Sequence, residues 1–404
     1  MMSESRPQLD GKRAVPTWQQ AKVAGLFFSL ATLACGGALA QGHKHHHGHV
    51  HQQASPKAES ERLALLQAAR TALAAGDSDT ALSRLDAAAM ISHAADTELL
   101  ALQAQMQAGD YRGALMFASH TAGAHIHDPE ALALYVWMLA LGEQRVEARR
   151  LLDAGLKRLP ENALLLAMHR QLPLAEPAAK AETDRQAAAI RPGPLAIGTP
   201  VPAHAQALGS GLLLDGGRHA LVPLAPSQAA AQLWVRSGLG HTSAARLVQT
   251  FDSLGLALLS LDTPLPTAQS TLARAPRDAF AGSPATAFAY LAAPSAQATW
   301  PAMHRGFLGR LSAASNQQTL GVELPVAPRG GPVFDQAGRW VGVSVAAQDG
   351  EPKLVNLSTL QAALGPWFEA VPIQPQGLPL ALDQQYEQAL PLTLQLLRVS
   401  GQRP

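Results

Sequence analysis

Three glycines recur at a fixed interval in the first half of this 404-residue sequence and constrain its fold more than any other feature. Gly76, Gly109 and Gly142 follow one another every 33 residues (109 − 76 and 142 − 109). Leucine and alanine recur around them at helical spacing. Such a period is typical of stacked antiparallel helix pairs, in which small residues at a fixed phase allow close contact. The sequence therefore predicts three degenerate helical repeats over 57–172; the alternative is an ordinary alanine-rich helical bundle.

Two short motifs give this region a family resemblance. Gly109–Ala114 reads Gly-Asp-Tyr-Arg-Gly-Ala, and Pro160–Asn162 reads Pro-Glu-Asn. The first resembles the core of a tetratricopeptide repeat, and the second resembles the turn that closes one. The resemblance implies a concave groove that binds a peptide or a partner protein and carries no chemistry of its own. We therefore expect a protein or peptide partner in the repeat groove.

Residues 1–40 have the features of an export signal. Basic residues precede the apolar run Val23–Cys35, and Ala38–Ala40 supplies the small residues that a signal peptidase reads. Cleavage there predicts a periplasmic or secreted product without cysteine, since Cys35 is the only one. The alternatives are an uncleaved membrane anchor over Val23–Ala40 and lipid attachment at the cysteine. A membrane partner is expected only if the segment stays uncleaved.

The segment 41–56 is dense in histidine and lacks an apolar pattern, so we expect it to be disordered. Imidazole nitrogen is a good ligand for copper, nickel and zinc, and these are the only cofactors that the sequence suggests. If cleavage leaves Gln41 first, the third residue completes an amino-terminal site for copper(II) or nickel(II). The alternative is a solvated tail with incidental metal affinity. The candidate ligands are His43, His45, His46, His47, His49 and His51.

Beyond the helical region, residues 173–206 are rich in proline and alanine and predict an extended linker. Short β-rich runs separated by turn residues then fill 207–366, which favours an all-β barrel or sandwich. The last hairpin of this region joins Val333-Phe334 to Trp340–Val345. The net charge of +1, without a basic block, argues against a nucleic-acid partner. Residues 367–404 are predicted to be a C-terminal tail, helical over Asp383–Leu397.

Five segments of the β-rich region resemble, in the same order, the bacterial trypsin-like serine peptidases of the high-temperature-requirement type. They are Gly209–Leu214, Asp215–Gly217, Leu256–Leu265, His304–Phe307 and Gly330–Pro332. The resemblance implies a trypsin-like double barrel. The expected fold class is therefore multidomain, with a tetratricopeptide-like α-helical solenoid followed by an all-β trypsin-like double barrel.

The catalytic residues that this resemblance implies are missing at all three positions. Pro226 stands at the position of the histidine, Gly255 at that of the aspartate and Arg329 at that of the serine. Acyl transfer needs a nucleophile, a base within hydrogen-bond reach and an acid that orients the base. Arginine stays protonated and is no nucleophile. Pro328 also biases Ala327 towards extended backbone, which disfavours an oxyanion hole made by the neighbouring amides. The domain is therefore predicted to be a degenerate peptidase without activity.

Two functions remain open. The favoured one is an exported, non-catalytic interaction protein, whose barrel cleft binds a peptide by strand addition or through a carboxylate held by Arg329. For this arginine, the alternative is an exposed side chain without a ligand. The other function is an active periplasmic trypsin-like serine endopeptidase with a displaced triad. The residues available for such a triad are His219, His241, His304, Ser210, Ser283, Ser344, Asp252 and Asp262.

Overall fold

The computed structural model of the chain describes residues 55–172, 196–225, 232–290, 296–311, 318–322, 324, 330–346 and 352–399. The predicted export signal, the histidine tract and most of the predicted linker lie outside these residues, as do Pro226 and Arg329. Among the described residues, no helix has both the length and the apolar character that crossing a bilayer requires.

Seven helices occupy residues 55–172 and form three successive hairpins followed by a single helix. They are α1 Pro56–Ala74, α2 Ser78–Ile91, α3 Ala95–Ala108, α4 Tyr111–Ala124, α5 Pro129–Leu141, α6 Arg145–Arg158 and α7 Ala163–Gln171. Gly76 lies in the turn between α1 and α2, Gly109 between α3 and α4, and Gly142 between α5 and α6. The 33-residue interval is thus the length of one helical hairpin and its connection to the next.

A glycine followed by an aspartate makes the turn in the first two hairpins. Gly76 and Gly109 have φ of +82° and +85°, a left-handed conformation in which a side chain is strained. Asp77 then accepts a hydrogen bond from the Thr80 amide at 3.0 Å and so caps the next helix. Asp110 does the same at the start of α4. The third hairpin departs from this pattern, because Gly142 has a negative φ.

Twelve described strands form two closed, antiparallel barrels of six strands each. The first barrel contains β1 Ala205–Leu214, β2 His219–Pro223, β3 Gln232–Ser237, β4 Thr242–Phe251, β5 Leu256–Leu261 and β12 Thr393–Val399. The second contains β6 Pro284–Ala289, β7 Ala302–Leu311, β8 Gln318–Gly321, β9 Pro332–Phe334, β10 Trp340–Ala346 and β11 Pro352–Asn356. The predicted fold class is confirmed: a helical region precedes an all-β trypsin-like double barrel.

The C-terminal strand β12 belongs to the first barrel, between β1 and β3. Around the second barrel the strand order is β6-β7-β8-β11-β10-β9, and around the first it is β12-β1-β2-β5-β4-β3. The two orders are the same when β12 is counted as the first strand of its barrel. The end of the chain therefore occupies the position that β6 occupies in the second barrel.

The prediction of a helix over Asp383–Leu397 is wrong in its second half. A helix covers only Leu382–Ala389, and β12 begins four residues later. Leu394 and Leu396 alternate with polar residues and lie in the first barrel's own hydrophobic core. Residues two apart share one face of a strand, whereas in a helix they lie on nearly opposite sides. Burying both leucines in one core therefore requires the extended conformation.

Three short helices, α8 Leu357–Leu364, α9 Pro366–Glu369 and α10 Leu382–Ala389, complete the chain before β12. Helix α10 packs on α4, where the rings of Tyr111 and Tyr386 lie 4.2 Å apart. The Tyr386 hydroxyl donates to the Pro301 carbonyl at 2.7 Å. One hydrophobic core continues from helices α1 to α5 into both barrels. The helical region and the barrels therefore form one packed body.

Candidate functional site

The end of β2 lies against the loop that precedes β9, where the two barrels meet. A Cβ atom added to Gly330 would lie 2.1 Å from the ring of Pro223 and 2.4 Å from the carbonyl oxygen of Ser210. Gly330 also has φ of +140°, so space and backbone conformation both require glycine. Arg329 is its chain neighbour and lies outside the described residues. Gly330, the first described residue after the predicted nucleophile position, therefore contacts the first barrel.

The position predicted for the aspartate joins the same region. The amide of Leu224, the residue after Pro223, donates to the Gly255 carbonyl at 3.3 Å. Pro226 follows two residues later and is not among the described residues. Pro223, Leu224, Gly255 and Gly330 thus lie together where the two barrels meet. This region, called the inter-barrel cleft below, is where the resemblance places a catalytic site.

Gly255 contributes no side chain to this cleft. It has φ of +64° and ends a short 3-10 turn, Asp252–Leu254. No described atom lies within 4 Å of where its Cβ would be, so a side chain would have room but a strained backbone. Asp252, the nearest acid in sequence, is exposed, and Asp262 pairs with Arg246 at 3.1 Å. Neither carboxylate makes a hydrogen bond to a described histidine.

The two buried candidate hydroxyls are held by backbone groups. Ser210, on β1, is fully buried and accepts a hydrogen bond from the Tyr290 amide at 2.8 Å. Ser344, on β10, is fully buried as well, and its hydroxyl donates to the Gly331 carbonyl at 3.3 Å. The Ser210 hydroxyl links β1 of the first barrel to the residue after β6 of the second, and the Ser344 hydroxyl links β10 to the residue before β9 within the second barrel. Ser283 lies apart from them, at a cavity of about 460 Å³ beside the start of β6.

The three candidate histidines lie in different places. His219 has its Nδ1 atom 3.1 Å from an Asp215 carboxylate oxygen. His241 packs against Gly76 of the helical region, and burial lowers its pKa. His304 is buried on β7, where burial and the positive charge of Arg145 lower its pKa to about 4. Within the described ranges, none of the three bonds to a serine hydroxyl. The structure therefore does not bring a displaced triad together.

A different cluster of ligating side chains, absent from the sequence prediction, lies in the helical region. The ligating atoms of His93, Glu98 and His125 all lie within 4.8 Å of one another. The predicted metal ligands, all in the tail, lie outside the described residues. A signal was present in the sequence, because a histidine five residues before a glutamate occurs in two successive repeats, at His93 and Glu98 and again at His125 and Glu130.

No family model matches the sequence, and neither does any curated protein. Among solved structures, the chain is similar to the MamO protease domain from Magnetospirillum magneticum, with 18% sequence identity and a TM-score of 0.29. The match covers 40% of this chain and 91% of that domain. A TM-score this low establishes no shared fold, so the double barrel is assigned here from strand order and pairing alone.

Proposed function

We propose that this chain is an exported, non-catalytic interaction protein. Its helical hairpins, which resemble tetratricopeptide repeats, and its degenerate trypsin-like domain act as one partner-binding body. One observation carries the proposal: the cleft between the barrels contains Gly255 where an acid is needed, and its two buried serines bond to the backbone. The loss of catalysis is thus proposed from side-chain chemistry, while the barrels themselves stay intact.

The chemistry of acyl transfer supports this proposal. A serine attacks a carbonyl only when a base within about 3 Å removes its proton. The Ser210 hydroxyl accepts a hydrogen bond from a backbone N–H at 2.8 Å. The Ser344 hydroxyl donates to the Gly331 carbonyl, which also accepts a hydrogen bond from the Ser344 amide. Releasing the Ser210 hydroxyl would leave the buried Tyr290 amide without its partner, which is unfavourable.

Partner binding is assigned to the helical hairpins, because the barrels offer little to a peptide strand. Every described strand has a neighbour on both sides, and strand addition needs a free edge. The second helix of each hairpin instead exposes a large apolar side chain. Met90 on α2, Met116 on α4 and Val146 on α6 are between 75% and 87% exposed. Methionine adapts to differently shaped apolar partners, which suits a peptide or protein ligand.

A fluorophosphonate probe tests the absence of catalysis, because it reacts only with an activated serine. We expect no labelling of the pure full-length protein under conditions that label an active trypsin completely. Ser210→Ala and Ser344→Ala serve as matched variants. Stoichiometric labelling that either substitution abolishes would establish the active endopeptidase instead.

The role proposed for Arg329 is a bidentate contact to a partner carboxylate. Peptide arrays with free and amidated C termini test it, since only the free terminus offers the carboxylate. We expect Arg329→Ala to weaken binding of the free peptides at least tenfold and to leave the amidated ones unchanged. Equal binding by the variant and the parent protein would contradict this contact.

Export and metal binding by the tail are proposed from the sequence alone. Mass spectrometry of the exported protein is expected to find Gln41 as its first residue. Recovery of the uncleaved chain in the membrane fraction would support the anchor instead. Calorimetry of the mature protein with copper(II) or nickel(II) tests the tail, and affinity no tighter than micromolar would contradict it.

A further inference from the structure

The carboxylate of Glu98 is buried in the helical region without a hydrogen bond. The residue is 4% exposed, and neither side-chain oxygen has a hydrogen-bond partner among the described residues. A carboxylate removed from water is strongly destabilising unless a cation or hydrogen-bond donors compensate its charge. Glu98 lies in the first turn of α3, which is fixed by packing on α2 and α4. Such a group points to a ligand.

Two imidazoles face this carboxylate. His93 Nε2 lies 2.9 Å from one oxygen, although not at the angle of a hydrogen bond, and His125 Nε2 lies 3.6 Å from the other. Ligand atoms about 2.0–2.2 Å from a tetrahedral zinc ion are about 3.3–3.5 Å apart. The two observed separations lie on either side of this range. The buried Nε2 of His125 also has no hydrogen-bond partner in the described part of the chain.

We propose that His93, Glu98 and His125 bind one divalent metal ion, with zinc as the preferred ion. Two imidazoles and one carboxylate are a common donor set for zinc, and they leave a fourth position for water or another ligand. His93 is 57% exposed, so this position is open to solvent. Its three ligands are different residues from those of the inter-barrel cleft and from the predicted ligands of the tail.

The arrangement of the ligands defines what the ion does. His93 comes from the connection between α2 and α3, and His125 is the residue that ends α4. A bound ion therefore holds the connection between the first two hairpins against both helices of the second hairpin. Beside it lies an apolar cavity of about 490 Å³, lined in part by Leu85, Met90 and Phe117. A metal ion at this place stabilises the stacking of the two hairpins next to the exposed Met90.

The alternative is an ion-pair cluster, in which protonated imidazoles neutralise the carboxylate and no metal binds. The two differ in their response to zinc. A metal site binds one zinc ion per chain and raises the melting temperature with zinc concentration, because only the folded chain has the assembled ligands. An ion-pair cluster does neither.

The test uses the full-length chain with its six tail histidines replaced by alanine, so that the tail cannot bind zinc. Calorimetry with zinc at pH 7.5 is expected to show one site per chain. Glu98→Gln and His93→Ala should each weaken zinc binding at least tenfold. His127→Ala, at an exposed position, should leave the zinc affinity unchanged. Cobalt(II) in place of zinc should give the visible absorption of a tetrahedral site.

Substitution of the buried glutamate also has to preserve the fold. We expect Glu98→Gln to melt within a few degrees of its parent without zinc and to lose the zinc-dependent increase. If this variant fails to fold, the zinc affinity of His93→Ala tests the site instead, because the His93 side chain is largely exposed and its removal should preserve the fold. Zinc binding no tighter than micromolar in the parent, or affinity unchanged in both variants, would overturn the metal site.

Discussion

The two barrels have the same strand order, but the first strand of one comes from the middle of the domain and that of the other from its C-terminal end. The second barrel is built from one continuous stretch, β6 to β11. The first barrel is built from β1 to β5 and is completed by β12, near the end of the chain. This difference shows that the C-terminal segment is an integral part of the fold. The first barrel cannot close until the last strand has been synthesised.

Closure by β12 also fixes parts of the molecule that are far apart in sequence. Ser210, whose carbonyl oxygen lies against Gly330, is paired with Gln395 of β12. Helix α10 precedes this strand and packs on α4, which attaches the helical hairpins to the barrels. In the interaction protein proposed above, the repeats and the barrels are therefore joined by direct contacts between α4 and α10.

The largest effect is expected from deleting residues 392–404, which removes β12. The loss exposes the core of the first barrel where Leu394 and Leu396 were packed. Each buried leucine contributes about 2–5 kcal/mol, against a total stability of about 5–15 kcal/mol. We expect an insoluble or molten protein by circular dichroism. Deleting only 400–404 is the control, and a 392–404 deletion that melts like the parent would contradict closure by β12.

Truncating one buried leucine in each barrel tests whether the two barrels unfold together. Leu396→Ala on β12 and Leu354→Ala on β11 each truncate a fully buried side chain, at a cost of about 2–5 kcal/mol. Leu354 lies in the core that spans both barrels and Leu396 in the first barrel's own core. Because β1 and β2 contribute side chains to both cores, both variants should shift one common unfolding transition in urea. The exposed Leu378→Ala is the control and should change stability by less than about 0.5 kcal/mol. Two separate transitions would show that the barrels unfold independently.

The pH dependence of stability reports on His304 in the second barrel. Burial, with a smaller contribution from Arg145, lowers its pKa from 6.5 to about 4. Between these values the unfolded chain binds the proton and the folded chain does not, so stability falls as pH drops from about 6.5 towards 4. At pH 5 the loss is about 2 kcal/mol relative to pH 7.5.

Thermal melts of the parent protein and His304→Leu at both pH values measure this contribution. The variant should lose less stability on acidification than the parent. The exposed His127→Leu is the control and should behave like the parent. If all three proteins lose the same amount of stability on acidification, His304 is not the cause of that loss.

The smallest effect concerns the contact between α4 and α10. Arg112 lies 3.0 Å from the carboxylate of Glu387, which also accepts the Arg112 amide N–H at 2.9 Å. Because the arginine side chain is half exposed, we expect a coupling energy of only about 0.2–1 kcal/mol. A double-mutant cycle with Arg112→Ala and Glu387→Ala measures it. Coupling near zero would leave the tyrosine stack as the main contact.

The helical hairpins and the last barrel hairpin could be predicted because local residues determine them. The positive φ of Gly76 and Gly109 and the caps that follow are encoded within a few residues. The hairpin of β9 and β10 likewise turns at Asp335–Gly338, where Gly338 has φ of +72°. These signals do not depend on the rest of the chain.

The role of β12 could not be predicted because its partners are distant. Leucines at 390, 394 and 397 fit helical spacing, and only pairing with β1, about 190 residues earlier, favours the strand. The cluster at Glu98 was missed for a related reason. His125 approaches it only when α3 and α4 pack against each other, so the repeated spacing becomes meaningful after the second hairpin has formed.

An engineered disulfide tests the pairing of β1 with β12 most directly. Gln206 and Arg398 are partners in the register, at a Cα separation that antiparallel pairing places within disulfide reach. With Cys35 replaced, Gln206→Cys/Arg398→Cys should form an intrachain disulfide under mild oxidation and melt at or above the parent temperature. The unpaired combination Gln206→Cys/Leu378→Cys should not. A folded Gln206→Cys/Arg398→Cys protein that keeps both thiols free would contradict closure of the first barrel by the end of the chain.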